Sequence, residues 1–79
     1  MTNYLSNYVS REVIQLVNDV GDEIEFEIVR YHDHYSVTAT ICQEEPPFKD
    51  CIAFGKDRFT KNRAMKKALD DLYMQAYPN

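Results

Sequence analysis

Glycine and proline are scarce in this chain of 79 residues, two and three respectively, and no repeat or linker-like stretch interrupts it. That scarcity excludes low-complexity and disordered classes. With 44% apolar and 28% charged residues, the composition is that of an ordinary globular domain. Cysteine is nearly absent: Cys42 and Cys51 are too few for a disulfide framework, and a reducing compartment keeps them as thiols. No apolar run approaches the roughly 20 residues of a membrane span. Met1 opens a polar, amphipathic segment rather than a secretory leader, so the expected location is cytoplasmic, with no membrane partner. A chain this short buries only about 60% of its unfolded surface and supports one core, so residues 1–79 are expected to form a single domain.

The signatures of common chemistries are missing as well. There is no Gly-rich phosphate loop, no GxSxG, no HExxH and no CxxC pair. His32, His34, Cys42 and Cys51 offer zinc-binding atoms without zinc-binding spacing. Glu23, Glu25 and Glu27 stand about 7 Å apart on one strand face, but without a pocket to desolvate them they form a solvated row that blunts sheet stacking, not a catalytic set. Tyr4, Tyr8, Tyr31, Tyr73 and Tyr77 are expected to pack half-buried with their hydroxyls wet. The expectation is therefore no enzyme, no metal, no cofactor and no small-molecule substrate.

Charge is present and segregated. Residues 1–50 carry three basic and ten acidic side chains, a net of −7; residues 51–79 carry six basic and three acidic, a net of +3. All six cations of the second part, Lys56, Arg58, Lys61, Arg63, Lys66 and Lys67, lie at or near the start of one amphipathic segment. Cations in the first turn of a helix oppose its macrodipole by a few tenths of a kcal/mol up to about 1. Lys61 and Arg63 therefore point to an anion that they receive, a phosphate or an acidic protein surface.

Periodicity orders the elements. Leu5, Val9, Val13, Leu16, Val17 and Val20 recur at steps of three and four, which predicts a first helix ended by Gly21 and capped by Thr2, Asn3, Ser6 or Ser10. Ile24, Phe26 and Ile28 alternate with the three glutamates, and Tyr35, Val37, Ala39 and Ile41 alternate with Ser36, Thr38 and Thr40. Both predict strands, joined as a hairpin around His32, Asp33 and His34. Residues 43–50, with Pro46-Pro47, predict a turn region, and Cys51 to Phe54 a short third strand. Thr60 is a natural N-cap for a last helix, with Phe59 placed as a hydrophobic staple. Ala64, Met65, Ala68, Leu69, Leu72 and Ala76 form its inner stripe, and Pro78 prevents further extension. The predicted architecture is an α+β, α-β-β-β-α two-layer sandwich: a three-stranded antiparallel sheet with both helices on one face.

That order, with Gly55, Thr60, Lys61, Asn62, Ala64, Met65, Ala68, Leu69 and Leu72 in the last third and Tyr35-Ser36-Val37 opening the second strand, resembles the double-stranded RNA-binding domain. The resemblance implies phosphate contacts from the start of the last helix. Lys61 matches one of the family's three lysines, and Asn62 and Met65 replace the others. It also implies a histidine in the first hairpin loop, where this chain has Tyr31, with His32 and His34 in a shorter turn. Glu12, Gln15 and Asn18 would be the polar groups of its first helix.

The expected function is a non-catalytic binding module that acts through a protein partner or through weak contact with double-stranded or structured RNA, using the Lys56 to Lys67 patch. The alternative is a small acidic inhibitor of a nucleic-acid-handling complex, similar to the phage-encoded anti-CRISPR proteins, with Glu23, Glu25 and Glu27 as its working surface.

Overall fold

Residues 8–42 and 50–77 are described in the computed structural model, the side chains of Tyr8 and Asp50 excepted. Strand β1 spans Tyr8–Val17, β2 Glu23–Tyr31, β3 Tyr35–Cys42 and β4 Asp50–Asp57, and helix α1 spans Lys61–Ala76. The strands form one antiparallel sheet in the order β1-β2-β3-β4. The predicted α-β-β-β-α sandwich is therefore corrected to four strands and one helix among the described residues.

The segment expected as a first helix is β1. A step of four residues satisfies both periods, because it is close to one helical turn and also an even number of strand positions. Val13 and Val17 thus share a sheet face, while Ile14 and Leu16 share the other with their partners Phe26 and Ile24. Val9, Val13, Ile14 and Val17 are β-branched, which favours the pleated conformation over a helix. Pairing also gives the β2 glutamates neighbours: Arg11 Nε donates to Glu27 and Gln15 Nε2 to Glu25 Oε1 at 2.9 Å. The proposed buried stripe is largely exposed, and Ile14, outside that stripe, is the β1 side chain that packs against the core. Gly21 does adopt a positive φ of 89°, but in the β1–β2 turn. There Asn18 Oδ1 accepts from the amides of Val20 and Asp22.

The β2–β3 hairpin turns at His32, Asp33 and His34 as expected, with the Tyr31 amide donating to the His34 carbonyl at 2.8 Å. The third expected strand, β4, runs longer than Cys51 to Phe54. Leu5, the caps Thr2, Asn3 and Ser6, Pro78 and all of the turn region 43–50 but Asp50, which begins β4 instead, lie outside the described residues.

The core fills the space between α1 and one sheet face. Ile24, Phe26, Ile28, Val37, Ala39, Ile41 and Ala53 meet Ala64, Ala68, Leu72 and Ala76, all buried; Met65 and Leu69 pack at the margin. Thr60 caps α1, its Oγ1 accepting from the Arg63 amide at 3.2 Å. Two helix side chains reach over to the edge strand β4: Gln75 Nε2 donates to the Ile52 carbonyl and Lys67 Nζ to the Lys56 carbonyl, at 3.1 and 2.9 Å. Carbonyls engaged in this way are less able to template another strand. Cys51 pairs with buried Ile41, whereas Cys42 lies on the opposite sheet face, so the two thiols point apart.

Candidate functional site

The β2–β3 turn, the end of β4 and the first turns of α1 meet at one end of the molecule. Asp33, His34, Lys56, Asp57, Arg58, Phe59, Arg63 and Lys67 line an open pocket of about 520 Å³ there. Its frame is Asp57, only 8% exposed. One carboxylate oxygen accepts from the amides of Phe59 and Thr60, both at 2.9 Å, and the other faces Lys67 Nζ at 3.4 Å. The two amide hydrogen bonds, then the lysine, hold the Asp57 carboxyl below its ordinary range. Lys67 therefore serves the fold, tying α1 to β4.

Across the pocket, His34 stacks on Tyr31 with ring centroids 4.6 Å apart, and its Nδ1 lies 2.7 Å from an Asp33 carboxylate oxygen. That contact, with a smaller contribution from Arg58, lowers the Asp33 pKa.

The six sequence-predicted cations divide into two groups. Lys61 pairs with Glu12 at 3.1 Å, fastening the first turn of α1 to β1, and Lys66 pairs with Asp70 at 2.8 Å along the helix. With Lys67 these are structural or surface pairs. Lys56, Arg58 and Arg63 share the pocket, and none of the three is in an ion pair among the described residues. Asp33 feels Arg58 only weakly and Asp57 is taken up by two amides and Lys67, so the three cations keep a positive surplus that an incoming anion relieves.

Phe59 is not the staple expected. The residue is 74% exposed and lines the pocket, and Asp57 organises the helix entry in its place. The missed signal is an aspartate two and three residues ahead of amides at a helix start, a position from which a carboxylate closes a local turn.

Glu23, Glu25 and Glu27 lie on the sheet face away from α1, opposite Cys42, Thr40 and Thr38 respectively. Arg11 neutralises Glu27 and Gln15 engages Glu25, and exposed Ile52 and Phe54 occupy the same face on β4. Among the described residues Glu27 alone of the row is in an ion pair, and Glu23 and Glu25 keep their negative charge on a face shared with Ile52 and Phe54. The polar groups assigned to a first helix serve other ends: Glu12 and Gln15 pair as above, and Asn18 Nδ2 donates to the hydroxyls of Tyr73 and Tyr77 at 3.2 and 2.9 Å. Tyr73 and Tyr77 stand at the end opposite Tyr31, so these three do not form one patch; Tyr4 and the Tyr8 side chain lie outside the described residues. His34 and Cys42 lie at opposite ends of β3, roughly 20 Å or more apart by strand rise.

No family model, curated protein or solved structure matches the chain.

Proposed function

We propose that this protein is a non-catalytic binding module that receives phosphate-bearing structured RNA at the end defined by Lys56, Arg58 and Arg63. The observation that carries this reading is that these three cations converge on one pocket while Lys61, Lys66 and Lys67 have protein partners. The side chains are the donors at hand in the pocket, the amides of Phe59, Thr60 and Arg63 being taken by Asp57 and Thr60. Arginine suits that task, presenting a planar fork of donors to phosphate oxygens. A cluster of three cations on a protein of net charge −4 supports weak, salt-sensitive affinity.

The inhibitor reading rests on Glu23, Glu25 and Glu27, which lie on the sheet face away from α1. It is the weaker of the two, because Arg11 and Gln15 already engage Glu27 and Glu25.

Charge reversal separates them. Arg58→Glu with Arg63→Glu should abolish binding of a fluorescein-labelled RNA hairpin in an anisotropy titration and leave the circular dichroism spectrum intact. Glu23→Lys with Glu25→Lys should preserve or tighten it. Failure of the wild type to bind the hairpin would overturn the RNA reading and leave the glutamate face as the working surface.

A further inference from the structure

Phe59 is the feature that a phosphate-binding patch alone does not explain. It follows Arg58 directly, its amide is fixed on the Asp57 carboxylate, and the residue is 74% exposed where it lines the cationic pocket. A large apolar ring left in water forgoes the stabilisation that burial gives it, and here it is presented from a capped turn rather than a loose loop. We propose that the pocket is a site for one unpaired nucleotide, whose base stacks on Phe59 and whose phosphate is held by Arg58 and Arg63. The proposal rests on the RNA-binding reading and narrows it from structured RNA in general to its unpaired bases.

Size, charge and shape agree. A pocket of about 520 Å³ falls within the range of small-molecule sites, which run from roughly 300 to 1,000 Å³. Its charged lining is Lys56, Arg58, Arg63 and Lys67 against Asp33 and Asp57, a surplus of two positive charges with His34 neutral. Asp57 is engaged by two amides and Lys67, and Asp33 hydrogen-bonds His34 and feels Arg58 only weakly, so the two carboxylates reduce the positive field without cancelling it. The remaining positive field belongs to Lys56, Arg58 and Arg63. A base within a continuous duplex is covered on both faces by its neighbours and has none to offer a protein ring; a base in a loop, at an end or in a single strand does.

The test compares a labelled oligouridine with a blunt RNA duplex of equal length, for the wild-type protein, Phe59→Ala, and Arg58→Ala with Arg63→Ala. Wild type should prefer the single strand. Phe59→Ala should weaken that binding roughly 5- to 150-fold, the range set by loss of one base–aromatic stack, with an unchanged salt dependence. The arginine variant should instead flatten the salt dependence. Single-strand affinity indifferent to Phe59→Ala but lost with the arginines would overturn the nucleotide site and leave the RNA reading standing, as would equal binding of duplex and single strand. Failure of the wild type to bind either RNA, with capture of a polyglutamate peptide in its place, would overturn both.

Discussion

Gly55 of β4 abuts the backbone of Ala64 in α1: a Cβ added to Gly55 would stand 2.2 Å from the Ala64 carbonyl oxygen and 2.6 Å from the Ala68 amide nitrogen. Both are main-chain atoms, so α1 itself has to move to admit a methyl group. Gly55 has no positive φ, and its requirement is steric. Gly55→Ala should therefore destabilise by about 1 to 3 kcal/mol, the usual cost of overpacking. A thermal melt should show this as a fall of about 4 to 8 °C per kcal/mol. An unchanged midpoint would mean that α1 stands farther from β4 than this contact requires.

Leu72 and Leu69 should differ although they occupy the same inner stripe. Leu72 is fully buried, whereas Leu69 sits at the margin of the core, where α1 leaves part of β2 and β1 uncovered. Leu72→Ala should cost about 2 to 5 kcal/mol and Leu69→Ala clearly less, because the smaller loss of burial leaves a smaller cavity. Urea denaturation of the two variants checks the order, and a Leu69→Ala effect equal to that of Leu72→Ala would contradict it.

Asp57 makes stability depend on acid. Its folded pKa lies below the ordinary 3.8, so the folded state binds the proton less readily than the unfolded one. Its contribution is present above that ordinary value and is lost as pH falls through the lower, folded pKa. Asp57→Asn should melt at a lower temperature than wild type at neutral pH, and the difference should shrink in strong acid. A difference constant across that window would show that the charge on Asp57 contributes nothing.

Asn18 joins the β1–β2 turn to the end of α1. Its amide group donates to the Tyr73 and Tyr77 hydroxyls while its carbonyl oxygen accepts from the Val20 and Asp22 amides, and the Tyr77 hydroxyl in turn donates to Asp22. Asn18→Ala should cost about 1 to 3 kcal/mol by leaving part-buried polar groups unpaired. Hydrogen exchange should quicken at the end of α1 and in the β1–β2 turn. Faster exchange confined to the turn would show that the tyrosine contacts do not hold the helix end.

Burial and strong local periodicity made β2, β3 and α1 legible. Ile24, Phe26 and Ile28 alternate with glutamates too regularly for a helix, and Thr60 followed by alanines at helical spacing has no strand equivalent. Residues 9–20 were ambiguous in kind, because valines four apart satisfy a strand and a helix alike, and only pairing with β2 decided between them. The basic segment was equally visible in one dimension, but which of its charges are engaged was not. Glu12 reaches Lys61 across 49 positions of sequence, Asp57 takes Lys67, and Lys56, Arg58 and Arg63 remain together at the pocket. Local pattern determines what each segment prefers to be; long-range contact determines which side chains are satisfied, and hence which are left to bind something else.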